Sequence, residues 1–340
     1  MKLQQLKYLL AIVDNGLNIT AAAERLYTSQ PGVSKQLKLL EEELGLQLFT
    51  RKGKSLGSIT PAGEQVIERA RLIMAEAENI RSLAADYYLE EQGTLSIATT
   101  HTQARYVLPS VIGQFRDRYP SVNFDVHQGN TEQIADMAKN AEVDIVIATG
   151  SRDLFRDMLL VPAYTWHRRI LVPRNHELAN FKGEMTLEKL AEFPLVTYVF
   201  SFGSRSMLRK AFADRGLEAD VVFTARDADV IKTYVRMGLG VGIVAAMAQD
   251  DDDGKDLVSI DVPDIFPPST TWIGFQKGLA LRRYMLEFIQ LFAPATTADQ
   301  LEQLRHARLQ TDVDKLFAET AISAFGDNSD SDGSKLRSIA

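Results

Sequence analysis

Apolar positions in the first sixty residues repeat at helical spacing in short blocks. Leu3, Leu6, Leu9, Leu10 and Val13 fall on one helical face, predicting a first helix that ends near Asn15-Gly16, a pair suited to a left-handed C-cap. A second helix is predicted from about Thr20 to Tyr27, with Ala21, Ala22, Ala23 and Leu26 as its packing side. Thr28-Ser29-Gln30-Pro31 then reads as a turn and a third helix start. Ser29 is the predicted N-cap, and Pro31 is tolerated in a first turn because its missing N–H had no helical partner. Val33, Leu37, Leu40 and Leu44 face the core, leaving Ser29, Gln30, Gly32, Ser34, Lys35 and Lys38 outward. Residues 18–44 thus have the layout of a helix-turn-helix, whose second helix enters the DNA major groove. The plainer reading is a capped surface helix with two lysines; the complete helix-turn-helix spacing weighs against it.

Leu48 to Thr60 reads as a small hairpin with a basic tip of Arg51, Lys52 and Lys54, a wing able to reach the DNA backbone. The candidate DNA contacts are therefore Thr28, Ser29, Gln30, Pro31, Gly32, Ser34, Lys35, Lys38, Arg51, Lys52 and Lys54. Gln pairs with adenine in the major groove, Ser with bases or phosphates, and the lysines neutralise phosphate. Gly53-Lys54-Ser55 is not a phosphate-binding loop, because Leu48 stands where the motif needs glycine.

Thr60-Pro61 opens a long helix, predicted over 61–91. Val66, Ala70, Ile73, Ala77, Ile80, Ala84 and Tyr87 alternate at spacings of four and three, a heptad seam that predicts a dimerising coiled coil about 45 Å long. The alternative is an amphipathic helix packed on its own domain.

Beyond Gln92-Gly93 the periodicity changes to short apolar runs. Strands are predicted at 94–98, 122–127, 144–148, 159–162, 169–173, 195–198, 221–224, 242–246, 257–261 and 271–275, with helices at 102–119, 130–140, 186–192, 204–216, 227–238 and 279–293. The alternation predicts an α/β region with mostly parallel sheets and ligands in a crevice at strand ends. Three polar turns mark that crevice: Thr99–Gln103, Ala148-Thr149-Gly150 and Ser201–Ser206. Each alone reads as a capped helix start; together they point to a small polar or anionic ligand. Gly238-Leu239-Gly240-Val241-Gly242 lacks the third glycine of a dinucleotide motif and reads as a tight helix-to-strand connection. Residues 297–317 are expected to form a polar amphipathic helix, and 326–340 to be disordered.

Composition adjusts this picture in three ways. With no cysteine, disulfides and thiolate metal sites are excluded and a cytoplasmic location is expected. The five histidines lie apart from carboxylate pairs in sequence, so no metal is expected. Lys7 and Asp14 interrupt the N-terminal apolar run, so no signal peptide is expected, nor any membrane association. The net charge of −7 is uneven: residues 1–60 carry eight Lys or Arg against five Asp or Glu, so the remainder carries −10. Local charge governs phosphate binding, and an acidic remainder limits nonspecific contact. No catalytic constellation stands out, so an enzyme is not expected.

Thr28-Ser29-Gln30-Pro31-Gly32-Val33-Ser34, Leu44-Gly45 with Leu48-Phe49, Arg51, and Thr60-Pro61-Ala62-Gly63 resemble LysR-type transcriptional regulators, from residue 1 to about 295. Leu26–Pro31, Thr99–Tyr106 and Asp227–Val235 narrow the resemblance to the CysB-like group, regulators of sulfur assimilation and cysteine synthesis. The resemblance implies a winged helix-turn-helix head (1–60), a linker helix that dimerises (61–92), and an α/β effector module (93–295). That module has two Rossmann-like subdomains of periplasmic-binding-protein type, I at about 93–163 and 268–295, II at about 164–267. A C-terminal helix and tail (296–340) follow. The resemblance further implies double-stranded promoter DNA as partner, a homotetramer, and RNA polymerase as a further partner. It also implies no cofactor, with acetylserine or a sulfate- or thiosulfate-like anion as the expected effector. Its site maps to Thr100, Thr102, Gln103, Thr149 and Trp166. Where the group has Phe-Thr-Gly-Arg-Ser, this chain has Phe202-Gly203-Ser204-Arg205-Ser206, so a threonine hydroxyl is missing at Gly203 and Ser201 or Ser204 stands in. That departure leaves open a regulator of sulfonate or other metabolite use. An α/β solute-binding protein or enzyme is the reading from a different class.

Overall fold

The computed structural model describes residues 1–53, 55–87, 92–199, 207–250, 252–263 and 265–325. The chain divides into two units, residues 1–90 and, in the main, residues 91–340. In the first, α1 (Leu3–Asp14), α2 (Ile19–Arg25) and α3 (Gln30–Leu44) precede an antiparallel hairpin of β1 (Phe49–Lys52) and β2 (Ser55–Ile59), then α4 (Pro61–Tyr87). Caps set the helix starts. Asn18 Oδ1 accepts from the Thr20 and Ala21 amides at 3.0 and 3.1 Å, and Ser29 Oγ from the Gly32 amide at 3.3 Å. α2 stops two residues short of the predicted Tyr27. There the chain turns back, with Tyr27 at φ +51° and the Thr28 amide bonded to the Ala23 carbonyl at 2.9 Å. Leu6, Leu9 and Ile12 of α1, Ala22 and Ala23 of α2, and Val33, Leu37 and Leu40 of α3 close one core with Leu48, Phe49 and Leu56 of the hairpin.

α4 serves two purposes along its length. Ile67 and Ala70 are buried in the core of the head, with Val66 and Met74 packed against it, so two seam positions act within the chain's own fold. Farther along, Ile73 and Ile80 remain 38% and 64% exposed. The Tyr87 side chain, and the four residues expected to complete the helix, lie outside the described residues. Thr60 and Gly63 show why this helix begins as it does. Thr60 Oγ1 accepts from the Gly63 amide at 2.9 Å and donates to the Gln47 carbonyl at 2.7 Å. A Cβ on Gly63 would sit 2.2 Å from the Leu48 carbonyl oxygen, so only glycine lets α4 pass the hairpin so closely.

The second unit runs β3 (Gln92–Thr99), α5 (His101–Tyr106), α6 (Leu108–Arg118), β4 (Ser121–Gln128), α7 (Thr131–Lys139), β5 (Ile145–Thr149) and β6 (Met158–Trp166). It continues with β7 (Arg168–Pro173), α8 (Leu187–Leu190), β8 (Leu195–Tyr198), α9 (Met207–Asp214), β9 (Val221–Ala225), α10 (Ala228–Arg236), β10 (Val241–Ala245), α11 (Asp253–Asp256) and β11 (Leu257–Asp261). β12 (Ser269–Gln276), α12 (Arg283–Phe292), α13 (Ala298–Leu304) and α14 (Gln310–Leu316) complete it. Two five-stranded sheets form, ordered β4-β3-β5-β12-β6 and β11-β7-β10-β8-β9. The chain passes between them at His167 and again over residues 262–268, so subdomain I keeps all of β6, past the expected boundary at 163.

Four sequence expectations need correction. The sheets are mixed, not mostly parallel: β12 and β7 each run antiparallel to both neighbours. A crossover within one sheet sets neighbours parallel, whereas both these strands arrive from the other sheet, β7 from β6 and β12 from β11. The helix predicted over 102–119 breaks at Val107, because Pro109 lacks the N–H to bond Arg105 and its ring collides with that carbonyl. The single polar helix over 297–317 is two short helices, and Leu301, Leu304, Ala307, Val313 and Phe317 join the core of subdomain I. Histidine, finally, does meet a carboxylate pair: folding brings His101 to Asp227 and Asp229, with ligand atoms within 4.8 Å of one another. Sequence distance hid this. Both carboxylates are already engaged, Asp227 with the Val230 amide at 2.8 Å and Asp229 with Tyr106 at 2.6 Å.

The C-terminal segment also covers an open sheet edge. Gln310 bonds both the Leu160 amide (2.8 Å) and the Leu160 carbonyl (2.9 Å) on edge strand β6, and Thr165 pairs with Ser323 and Phe325. The glycine-rich Gly238–Gly242 is structural, as expected: Gly238 has φ +77°, and a Cβ on Gly240 would lie 2.4 Å from the Pro194 carbonyl oxygen. The expected disorder of 326–340 lies outside the described residues. Among the described residues, no helix is long and apolar enough to cross a membrane.

Candidate functional site: nucleic-acid interface and ligand cleft

The capped start of α3 presents Gln30, Pro31, Lys35 and Lys38 to solvent, with Thr28, Gly32 and Ser34 half-buried beside them. Ser29 is exposed, but its hydroxyl is occupied as the cap, so it holds the helix start in place. Lys38 lies 3.4 Å from Glu42 one turn on, a weak solvated pair. Arg51 is more committed. Its Nη2 is 2.8 Å from Oε2 of Glu41, whose side chain is only 4% exposed. Oε1 of Glu41 accepts from the Leu48 and Phe49 amides at 2.9 and 3.4 Å. The predicted phosphate contact is therefore also the strut that fastens the wing to α3. The Lys52 side chain and Lys54 lie outside the described residues. Tyr27, absent from the predicted contacts, is 99% exposed immediately before α3. Its sequence signal was a large aromatic residue in a polar turn.

In the second unit, Gln103, Thr149 and Trp166 converge on a residue that the sequence reading missed, Thr271 of β12, while Thr100 and Thr102 stand beside Gln103 at the start of α5. Its Oγ1 accepts from Trp166 Nε1 at 3.0 Å and from Gln103 Nε2 at 3.4 Å, and lies 3.1 Å from Thr149 Oγ1. The Tyr164 hydroxyl donates to Gln103 Oε1. Burial raises the Tyr164 pKa far above its ordinary value, so the phenol stays a donor. Thr102 hydrogen-bonds Tyr198 of the other sheet, whose pKa burial also raises. Thr100 precedes α5 without making a side-chain cap bond. With six residues, α5 offers little helix dipole, so any attraction for an anion must come from side chains. Ser201, Gly203 and Ser204 lie outside the described residues. The one cue to Thr271 was a hydroxyl on the inward face of a strand whose next inward positions, Ile273 and Phe275, are apolar. Thr271→Val, nearly isosteric, leaves the Trp166 and Gln103 donors without an acceptor. It should cost about 1–3 kcal/mol in thermal denaturation and weaken ligand binding.

A second cluster joins the two subdomains. Lys232 of α10, 1% exposed, places Nζ 2.9 Å from Asp250, 2.5 Å from Asp253 and 3.2 Å from the Tyr106 hydroxyl. Arg105 pairs with Asp229 at 2.8 Å and with Asp250 at 3.3 Å. Burial and the hydrogen bond to Asp229 push the Tyr106 pKa well above its ordinary value. A pocket of about 370 Å³ opens over this cluster, lined by both charge signs. The threonine network, by contrast, is closed, its polar groups bonded to one another.

Known proteins match both units. The family model for the "LysR substrate binding domain" matches residues 89–296, and that for the "Bacterial regulatory helix-turn-helix protein, lysR family" matches residues 3–64. The chain is 49% identical over 317 residues to the HTH-type transcriptional regulator CysB of Haemophilus influenzae, covering 93% of this chain and 98% of the relative. It is 45% identical to the HTH-type transcriptional regulator SsuR of Burkholderia cenocepacia, over 86% and 95% of the two chains. The crystal structure of the cofactor-binding domain of the Cbl transcriptional regulator superposes with a TM-score of 0.60 at 38% identity, covering 65% of this chain and 95% of that one.

Proposed function

Because the chain belongs to the LysR family of DNA-binding helix-turn-helix transcriptional regulators, we propose that it controls sulfur-assimilation and cysteine-synthesis genes in response to a small anion, acetylserine or a sulfate- or thiosulfate-like ion. The observation that carries this reading is the hydrogen-bonded Gln103-Thr149-Trp166-Thr271 network in a chain 49% identical to a CysB regulator. Thr100, Thr102, Gln103 and Thr149 bind the oxyanion, Gln103 and Thr149 by exchanging their hydrogen bonds to Thr271 for bonds to ligand. The ligand lies between the two subdomains and shifts their angle, provided that its affinity differs between the two states. Ile73 and Ile80 on α4 support a two-fold pairing of linker helices. A homotetramer on paired half-sites, with RNA polymerase as the next partner at the promoter, completes the reading. Glycine at position 203, where the group has threonine, favours a second ligand class, sulfonates, within the same role. Calorimetry with acetylserine, sulfate and thiosulfate tests the assignment: DNA binding intact but no heat with any of them would sink it.

On the DNA side, Gln30 and Ser34 read bases, Lys35 and Lys38 contact phosphate, and Tyr27 packs at the groove edge. Gln30→Ala should cost about 1–3 kcal/mol on the preferred operator and little on altered sequences. Lys35→Ala should weaken all sequences alike and reduce the salt slope by about 1. Fluorescence anisotropy across a salt series separates the two; identical behaviour would refute the division of roles.

A further inference from the structure

Arg168 opens β7 one residue past the crossover at His167, and it is only 9% exposed. Its guanidinium lies 5.6 Å from the centre of the Trp166 ring. Nη1 is buried with no hydrogen-bond partner, and among the described residues no carboxylate lies within ion-pair distance of Arg168. Its neighbour on the same strand makes the contrast plain: Arg169 grips Asp261 with two bonds of 2.6 and 2.7 Å. Burial lowers the Arg168 pKa, but a guanidinium does not lose its proton near neutral pH. Tyr198, the acidic group it senses, is itself pushed up by burial and supplies no counter-charge. The Trp166 face offsets part of the cost of burying this cation, and the rest calls for an anion. Trp166 on one side bonds Thr271, and Tyr198 on the other bonds Thr102, so Arg168 stands against the network that would hold the ligand.

We propose that Arg168 is the ion-pairing residue of the cleft, donating from Nη1 to the ligand's oxyanion group and setting its preference for anions over neutral analogues. This rests on the reading of the cleft as an oxyanion site. The threonine hydroxyls and the Gln103 amide are neutral donors that a carbonyl or amide ligand satisfies nearly as well as a carboxylate. A buried guanidinium distinguishes the two, and it recognises carboxylates and sulfur oxyanions alike. Arg168 also opens β7 one residue past the link between the two sheets, so an ion pair there acts where the subdomains join.

The test uses the full chain, its Arg168→Gln and Arg168→Lys variants, and three probes at fixed ionic strength: acetylserine, its neutral carboxamide, and sodium sulfate. In wild type, acetylserine should bind at least about 30-fold tighter than the carboxamide, the scale of a charge-assisted hydrogen bond. Arg168→Gln should bring that ratio close to one and weaken sulfate by a similar factor. Its melting temperature without ligand should equal or exceed that of wild type, because an unpaired buried charge has been removed. Arg168→Lys should keep part of the discrimination, and it decides the matter should the glutamine variant fail to fold. Discrimination unchanged in a folded variant, with wild type binding the anions, overturns the role of Arg168 alone. Wild type binding neither anion overturns the oxyanion reading and this proposal together.

Discussion

Lys232→Met is expected to destabilise the α/β unit by about 3 kcal/mol, the lower end of the range for breaking a buried ion pair. The ammonium is fully enclosed and holds Asp250 and Asp253 together. The lower end applies because neither carboxylate is abandoned: Arg105 still reaches Asp250 at 3.3 Å, and Arg236 still reaches Asp253 at 2.7 Å. The effect should depend on pH with a definite sign. Burial opposes ionisation of Asp250, yet Lys232 and Arg105 hold its pKa below the ordinary carboxylate value. A carboxylate depressed in the folded state contributes its full stability above its unfolded pKa of about 4, and loses it as pH falls through the folded value. The gap between wild type and Lys232→Met should therefore be widest near pH 7 and shrink towards pH 3. Chemical denaturation at both pH values measures it; a gap independent of pH would deny that Asp250 is the partner that matters. The same cluster ties α5 of subdomain I to α10 of subdomain II, so the variant should also alter ligand affinity.

Glu41→Ala should cost the N-terminal head a similar amount, about 3 kcal/mol, from two buried amides deprived of their acceptor. Leu48 and Phe49 donate to Oε1 of Glu41 at the point where the chain enters the wing. Loss of the Arg51 pair adds little, since that side chain is 42% exposed and regains water. Glu41→Gln keeps an amide oxygen in the same place and should recover more than half of the loss. Calorimetric melting of the two variants separates this from a charge effect: equal destabilisation by both would mean that the Arg51 pair dominates. DNA affinity should fall more in the alanine variant, because a loose wing no longer holds Arg51 beside α3.

The local code was readable in the sequence where one element's own residues decide the matter. Ser29 and Pro31 start α3 through cap chemistry that operates within a few residues, and each of the ten apolar runs corresponds to a described strand of the α/β unit. Strand direction was not readable, because it depends on which sheet the preceding strand belongs to, and both antiparallel strands, β7 and β12, arrive from the other sheet. The break at Val107 was written in Pro109, but the amphipathic pattern of 102–119 runs across it. The polar clusters escaped notice for a related reason. Thr271 and Lys232 gain meaning only from partners distant in sequence, and each alone looks like an ordinary strand or helix residue. Lys232 is an instructive case: at its place in α10 a lysine predicts an exposed face, and it is 1% exposed because Asp250 and Asp253, beyond β10, neutralise it.

The central claim is that an anion in the effector cleft changes how the head engages DNA. A footprint of the full chain on promoter DNA of a sulfur-assimilation gene, with and without acetylserine, tests it most directly. The protected span should change on adding the ligand, with apparent affinity shifting by about 5-fold or more, the usual scale of coupling between sites. DNA bound with the same footprint and affinity in the presence of acetylserine, sulfate or thiosulfate would contradict it.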